Sequence, residues 1–139
     1  MTAPPELAAA VQAWLTKAAH DLKNAEHTLL LPDPQCPLDT VCFHAQQCVE
    51  NSVKAYPTAK RVPFQRTHDL GQLVFLCRAD AGLVRELEEA KDLSHYAVEL
   101  RYADAAAEEP LRAEAERAVA LARKSHEAVM NRLKGEFAG

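Results

Sequence analysis

The residues best suited to chemistry lie on one face of a helix predicted over residues 41–55. Polar side chains with hydrogen-bonding heads recur there at helical spacing: His44, Gln47, Asn51 and Lys54. The adjoining positions are small or apolar: Val41, Ala45, Cys48, Ser52 and Ala55. A merely solvated helix face in an acidic protein would favour Glu, Lys and Arg. The pattern therefore indicates a polar groove.

Three residues of this region have a chemical and a purely structural interpretation. His44 is a candidate ligand or general acid/base, or else a surface or packed histidine. Lys54 is suited to neutralising a phosphate, or is an exposed lysine favoured near a helix C-terminus. His68 next to Asp69 forms an orienting pair, or the two serve only to cap a helix.

A second polar group follows later in the chain, at Arg101 and Tyr102. An arginine can bind phosphate with two parallel hydrogen bonds, and a tyrosine can stack on a base. The alternative is a helix C-terminal cap with a packed aromatic ring. The carboxylates of Asp21 and Glu50 are suited to positioning the cationic side chains. Together these residues could converge on one anionic, base-bearing ligand.

Charge is distributed unevenly along the 139 residues, whose formal net charge is −4. The overall sign disfavours indiscriminate nucleic-acid binding. Between Glu50 and Asp69, however, no acidic residue occurs, and the basic residues there are Lys54, Lys60, Arg61, Arg66 and His68. This segment predicts either a local anion site or a solvated basic loop.

Several classes of site and compartment are disfavoured by the sequence. It contains no P-loop, no dinucleotide-binding glycine fingerprint, no nucleophile elbow and no H-E-x-x-H motif. The four cysteines do not have zinc-site spacing and are predicted to be buried free thiols. We expect no metal and no cofactor. Neither a membrane-spanning run nor a secretory signal is seen, so we expect a cytoplasmic protein without membrane contact.

The helical periods and prolines predict one domain over residues 1–139, with its core at about 6–134. Helix one starts at Pro5 and ends before Pro32, and helix two stops before Pro57. Asp69 is the N-cap of a short helix, another helix runs from Leu83 to about residue 100, and Pro110 opens the last. The predicted fold class is all-α, an antiparallel up-and-down bundle of four long helices plus a short one.

These fragments, taken in order, resemble the HEPN family, the higher eukaryote and prokaryote nucleotide-binding domain. The segment Cys42-Phe43-His44-Ala45-Gln46-Gln47, followed by Glu50 and Lys54, is similar to its second helix. Trp14, Ala18 and Asp21-Leu22 are similar to its first. Thr67-His68-Asp69-Leu70 resembles its G-H-[DS]-L turn, and Leu93 to Tyr102 resembles its L-x-x-Y-x-x-x-x-R-Y signature.

The resemblance implies a helical bundle that forms homodimers and binds nucleotide or RNA. It also implies a minimal nucleotidyltransferase as partner, in a two-component cassette of the toxin–antitoxin type. Many family members are ribonucleases that use an R-x4-6-H motif. Here Arg101 would be the motif arginine, but residues 102–108 contain no histidine. Arg61 and His68 have R-x6-H spacing but lie in a predicted loop, so we interpret that match as chance.

Three functions follow from the sequence. The first is a non-catalytic HEPN module that binds a nucleotide or a partner and acts with a nucleotidyltransferase. The second is a ribonuclease toxin with a degenerate or displaced site. The third is a structural module whose polar stripe is a dimer interface. The missing histidine after Arg101 favours binding over catalysis.

Overall fold

The computed structural model describes residues 3–97 and 109–137, and all of the regular secondary structure in this part of the chain is helical, with no strand. The α-helices are α1 (Pro5–Leu29), α2 (Leu38–Ala59), α3 (Leu70–Phe75), α4 (Ala81–Leu87) and α5 (Arg112–Phe137). A 3-10 helix, Glu89–Tyr96, follows α4. The predicted all-α class is confirmed.

The three long helices form the body of the bundle, with α2 at its centre. Helix α2 packs on both α1 and α5, and it also contacts α3 and the 3-10 helix. Small buried residues stand on all three long helices, namely Ala18, Ala45 and Ala122, and these permit a close approach of the backbones. Helices α1 and α2 are antiparallel, since His44 meets Asp21 while Lys54 meets Trp14.

The end of α2 differs from the sequence prediction. The helix includes Pro57 and continues to Ala59, so the predicted stop before Pro57 was wrong. Pro57 lies in the last turn, where the missing N–H forfeits one helical bond while Tyr56 and Ala59 remain buried. The chain then leaves in a Schellman turn: the Val62 N–H donates to the Pro57 carbonyl at 2.8 Å, and Arg61 has a φ of 58°.

The region predicted as one helix from Leu83 to about residue 100 is two shorter elements. Asp80 caps α4 by accepting a hydrogen bond from the Leu83 N–H at 2.9 Å, and α4 ends at Leu87. The 3-10 helix then runs from Glu89 to Tyr96. Leu87, Ala90 and Leu93 are all buried, and this three-residue spacing matches a helix with three residues per turn. Residues 98–108 lie outside the described ranges.

Helix ends account for other details of the fold. The Arg112 guanidinium donates to the carbonyls of Leu29 (2.9 Å), the last residue of α1, and of Leu31 (2.6 Å), just beyond the helix. Helix α1 begins at Pro5 as predicted, and α5 begins at Arg112 rather than at Pro110.

The four cysteines, Cys36, Cys42, Cys48 and Cys77, are free and buried, as predicted. Burial raises the pKa of the Cys42 thiol to about 11 and that of Cys48 to about 12. The Cys42 and Cys48 thiols are therefore poor nucleophiles at neutral pH. None of the described helices is both long enough and apolar enough to cross a membrane.

Candidate ligand site at the seam of α1 and α2

Polar side chains meet along the line where α1 packs on α2, and we call this line the α1–α2 seam. Its first cluster is centred on Asp21 of α1. The Asp21 carboxylate accepts hydrogen bonds from the His44 Nδ1 at 3.3 Å and from the Asn51 Nδ2 at 3.0 Å. Burial raises the pKa of Asp21, the two hydrogen bonds lower it, and the net result is a raised pKa.

The second cluster is centred on Glu50, which is only 2% exposed. Its Oε1 accepts from the Gln46 Nε2 at 3.0 Å and from the His68 Nδ1 at 2.9 Å, while its Oε2 accepts from the Lys54 Nζ at 2.9 Å. Burial raises the pKa of Glu50, but the hydrogen bonds from Lys54, Gln46 and His68 outweigh it, so the pKa is lowered. Glu50 is therefore ionised at neutral pH.

Lys54 is neither the free phosphate-binding cation nor the exposed helix-end lysine that the sequence suggested. It is 6% exposed, and its ammonium lies between the Glu50 carboxylate and the Trp14 ring, 5.1 Å from the ring centroid. A buried charge needs such a partner, because desolvation is costly without one. The charge of Lys54 is thus compensated within the protein, and its geometry suits it to holding Glu50.

His44 and His68 are the accessible members of the seam. Their side chains are 32% and 37% exposed. Each ring uses Nδ1 to bind a carboxylate, and neither Nε2 has a hydrogen-bond partner among the described residues. In the neutral ring with Nδ1–H donating, Nε2 is an acceptor; in the protonated ring it is a donor. Each ring can thus accept from a hydroxyl or base, or donate to a phosphate.

The remaining predicted site residues fall in different places. Gln47 donates to the Gln46 Oε1 at 2.6 Å and so adjoins the Glu50 cluster. Arg101 and Tyr102 lie outside the described residues. The proposed His68–Asp69 orienting pair is not formed in this geometry: Asp69 caps α3 by accepting from the Gln72 N–H at 3.3 Å, and His68 turns to Glu50.

Two polar contacts were not predicted from the sequence: the Gln46–Glu50 hydrogen bond and the Ser52–His126 contact. Gln46 precedes Glu50 and Lys54 by four and eight positions, so helical spacing alone would have placed the three in one row. Ser52 of α2 is 3.0 Å from the His126 Nδ1 of α5, and the only signal for this contact was a polar residue within the apolar stripe of the last helix. In residues 3–97 and 109–137, no cluster of three or more His, Cys, Asp or Glu suited to a metal is found.

A sequence model of the HEPN domain matches residues 11–133, which is most of the chain. The chain belongs to the HEPN domain family. Its fold is also similar to the crystal structure of an archaeal HEPN homologue, with a TM-score of 0.67 and 22% sequence identity. That similarity covers 89% of this chain and 98% of the archaeal chain. Because only 22% of the residues are identical, this similarity is evidence for the fold and not for a shared function. No curated protein matches the chain.

Proposed function

We propose that this HEPN protein is a non-catalytic binding module for a nucleotide or RNA, with its ligand site on the α1–α2 seam. One observation carries the proposal: two half-exposed histidines, His44 and His68, are each held at Nδ1 by a carboxylate that is itself anchored from a helix. Because the rings are oriented before a ligand arrives, less side-chain entropy is lost on binding. Their Nε2 atoms supply hydrogen bonds to phosphate, ribose or base.

The neighbouring side chains have supporting roles in this proposal. Asp21 and Glu50 orient the rings, and Lys54 keeps Glu50 ionised. Gln47 carries a partly exposed amide that can read a base edge. Asn51 is only 5% exposed and donates its Nδ2 hydrogen bond to Asp21, so its role here is to hold that carboxylate. Arg101 and Tyr102 remain part of the proposal as phosphate-binding and base-stacking residues. We further propose that the protein is a homodimer and acts with a nucleotidyltransferase-fold protein in a toxin–antitoxin type cassette.

Thermal denaturation with AMP, ATP and a short oligouridylate tests the ligand site. A ligand that binds only the native state stabilises it by about 2.7 kcal/mol at a hundredfold excess over Kd. We expect a raised Tm with at least one ligand, and a smaller rise in His44→Ala, His68→Ala and Arg101→Ala. His95→Ala is the control, since His95 belongs to the 3-10 helix and its Nδ1 binds the Asp92 carbonyl. Equal rises in all four variants would exclude the seam.

The same histidine–carboxylate pairs favour a second candidate, a ribonuclease with a displaced site. A general acid/base must lie within hydrogen-bond reach of the reacting oxygen, and a half-exposed Nε2 meets that requirement. The test is incubation of purified protein with structured and single-stranded RNA. Cleavage that disappears in His44→Ala or His68→Ala, but persists in His95→Ala, would replace binding by catalysis as the function. We expect no cleavage above that of the variants.

A further inference from the structure

The outer face of α1 has a charge pattern unlike the rest of this acidic protein. From residue 17 to residue 27, the exposed positions carry no carboxylate: they are Lys17, Ala19, His20, Lys23, Asn24 and His27. The two acidic residues in this stretch, Asp21 and Glu26, are not among its exposed positions. Asp21 is half-buried in the seam, and Glu26 is paired with Arg123 of α5.

The basic side chains of this face are not used by the fold. Lys17, His20, Lys23 and His27 form no ion pair among the described residues. At 100° per residue they fall within about a third of the helix circumference, and they extend over about 15 Å of its length. We call these four residues the α1 basic face.

The α1 basic face adjoins the proposed ligand site. Lys17 lies one turn before Asp21 on the same helix, and its charge acts on the Asp21 carboxylate. A ligand bound at His44, which is hydrogen-bonded to Asp21, therefore lies at the edge of this face. A chain of phosphates could pass from the seam onto α1 without meeting an exposed carboxylate between residues 17 and 27.

We propose that the α1 basic face binds the phosphodiester backbone of single-stranded RNA, so that the ligand of the seam is a polynucleotide rather than a mononucleotide. This inference rests on the proposed seam site. An acidic protein would be the other kind of partner for a basic face. Protein interfaces, however, depend on large apolar or aromatic anchors, and the exposed apolar residue here is Ala19 alone. Lysine with asparagine is instead a composition used to contact phosphates.

Variants in which two basic residues are replaced by glutamine test the α1 basic face. Lys17→Gln/Lys23→Gln removes two positive charges, and Arg78→Gln/Arg85→Gln is the matched control. Arg78 and Arg85 are exposed, and Arg85 belongs to α4, which packs on α3, α5 and the 3-10 helix. The probes are AMP and a fluorescent oligouridylate of about 12 nucleotides, a length within the range of single-strand sites.

We expect Lys17→Gln/Lys23→Gln to weaken oligouridylate binding about tenfold at 0.15 M salt, and to make the slope of log K against log salt shallower by about 1.4. AMP binding should fall by much less than RNA binding, because AMP contacts the seam and not the length of α1, and RNA binding in the control variant should be unchanged. An equal loss in both variants would mean that net charge alone acts, and an unaltered salt slope in Lys17→Gln/Lys23→Gln would overturn the proposal.

The seam and the face can fail separately. AMP binding that depends on His44 and His68, with RNA affinity indifferent to Lys17 and Lys23, would retain the seam and reject the face. RNA binding that depends on the two lysines but not on the two histidines would reject the seam, and with it the claim that the seam's ligand is a polynucleotide, and would leave α1 alone as the RNA-binding surface. If neither probe binds the wild-type protein, both proposals are rejected.

Discussion

At the scale of single residues, the half-buried Asp21 and the buried Glu50 of one seam have pKa shifts of opposite sign. Burial raises the pKa of Asp21, and the hydrogen bonds from His44 and Asn51 only partly offset this. For Glu50, burial is outweighed by Lys54, Gln46 and His68, and the pKa is lowered. Because Glu50 has a cationic partner within hydrogen-bond distance, its ionised form is the favoured one.

These shifts predict how stability depends on pH. The contribution of Glu50 is fully present above its unfolded pKa of about 4.3 and is lost as the pH falls through its lower folded pKa. The contribution of Asp21 is present below its unfolded pKa of about 3.9 and is lost as the pH rises through its higher folded pKa. Acidification from about pH 6 to pH 3 should therefore reduce stability less in Glu50→Gln, and more in Asp21→Asn, than in the wild type.

Urea unfolding at several pH values measures these slopes. At neutral pH, Glu50→Gln should itself cost about 3 kcal/mol, because it leaves the Lys54 ammonium buried without its anion. The test compares how the free energy of unfolding changes with pH in each variant, so a loss of stability that is the same at every pH does not affect it. Slopes that change in the same direction in both variants would show that the opposed shifts are wrong.

At the scale of elements, sequence patterns identified the helices where periodicity and caps agree. Pro5 at the start of α1 and Asp69 as the N-cap of α3 were both readable. The C-terminal end of α2 could not be predicted from the sequence. Tyr56 and Ala59 are buried against the core, and the helix continues past Pro57 to include them. The 3-10 helix could not be predicted either, because buried residues three positions apart are also compatible with an α-helix.

The Schellman turn after α2 gives a prediction at this scale. Arg61 occupies the left-handed region with a φ of 58°, which costs about 1 kcal/mol for a residue with a Cβ. Arg61→Gly should raise the free energy of unfolding by about 0.5–1 kcal/mol, since glycine adopts this conformation without a clash. Arg61→Ala removes the same charge but keeps the Cβ. If Ala stabilises the protein as much as Gly does, the gain comes from charge and not from the backbone.

At the scale of the whole molecule, the site could be predicted only in part. The stripe on α2 was visible in the sequence, because its members share one helix. That Asp21 meets His44 and Asn51, and that Glu50 meets His68, depends on how α1 and the loop before α3 pack on α2. Local periodicity contains no information on that packing. It also could not show that Lys54 would be enclosed by Glu50 and Trp14.

We expect a homodimer in solution. Among the described residues, the large apolar side chains that remain exposed are Leu30, Leu31, Phe75, Leu111 and Met130, and we expect the dimer interface to bury some of them. Sedimentation at micromolar protein should give a mass of about 31 kDa, twice that of the 15.3 kDa chain. A species of one chain's mass at every concentration would contradict this expectation.

The most direct test of the seam is NMR detection of its imidazole nitrogens during titration with AMP and with oligouridylate. Long-range proton–nitrogen correlation spectra separate Nε2 from Nδ1 in each histidine ring. We predict that ligand shifts the Nε2 resonances of His44 and His68, while their Nδ1 atoms keep the signature of bonding to Asp21 and Glu50. His95 should not respond. Saturable binding that leaves both Nε2 resonances unmoved would contradict the proposed site.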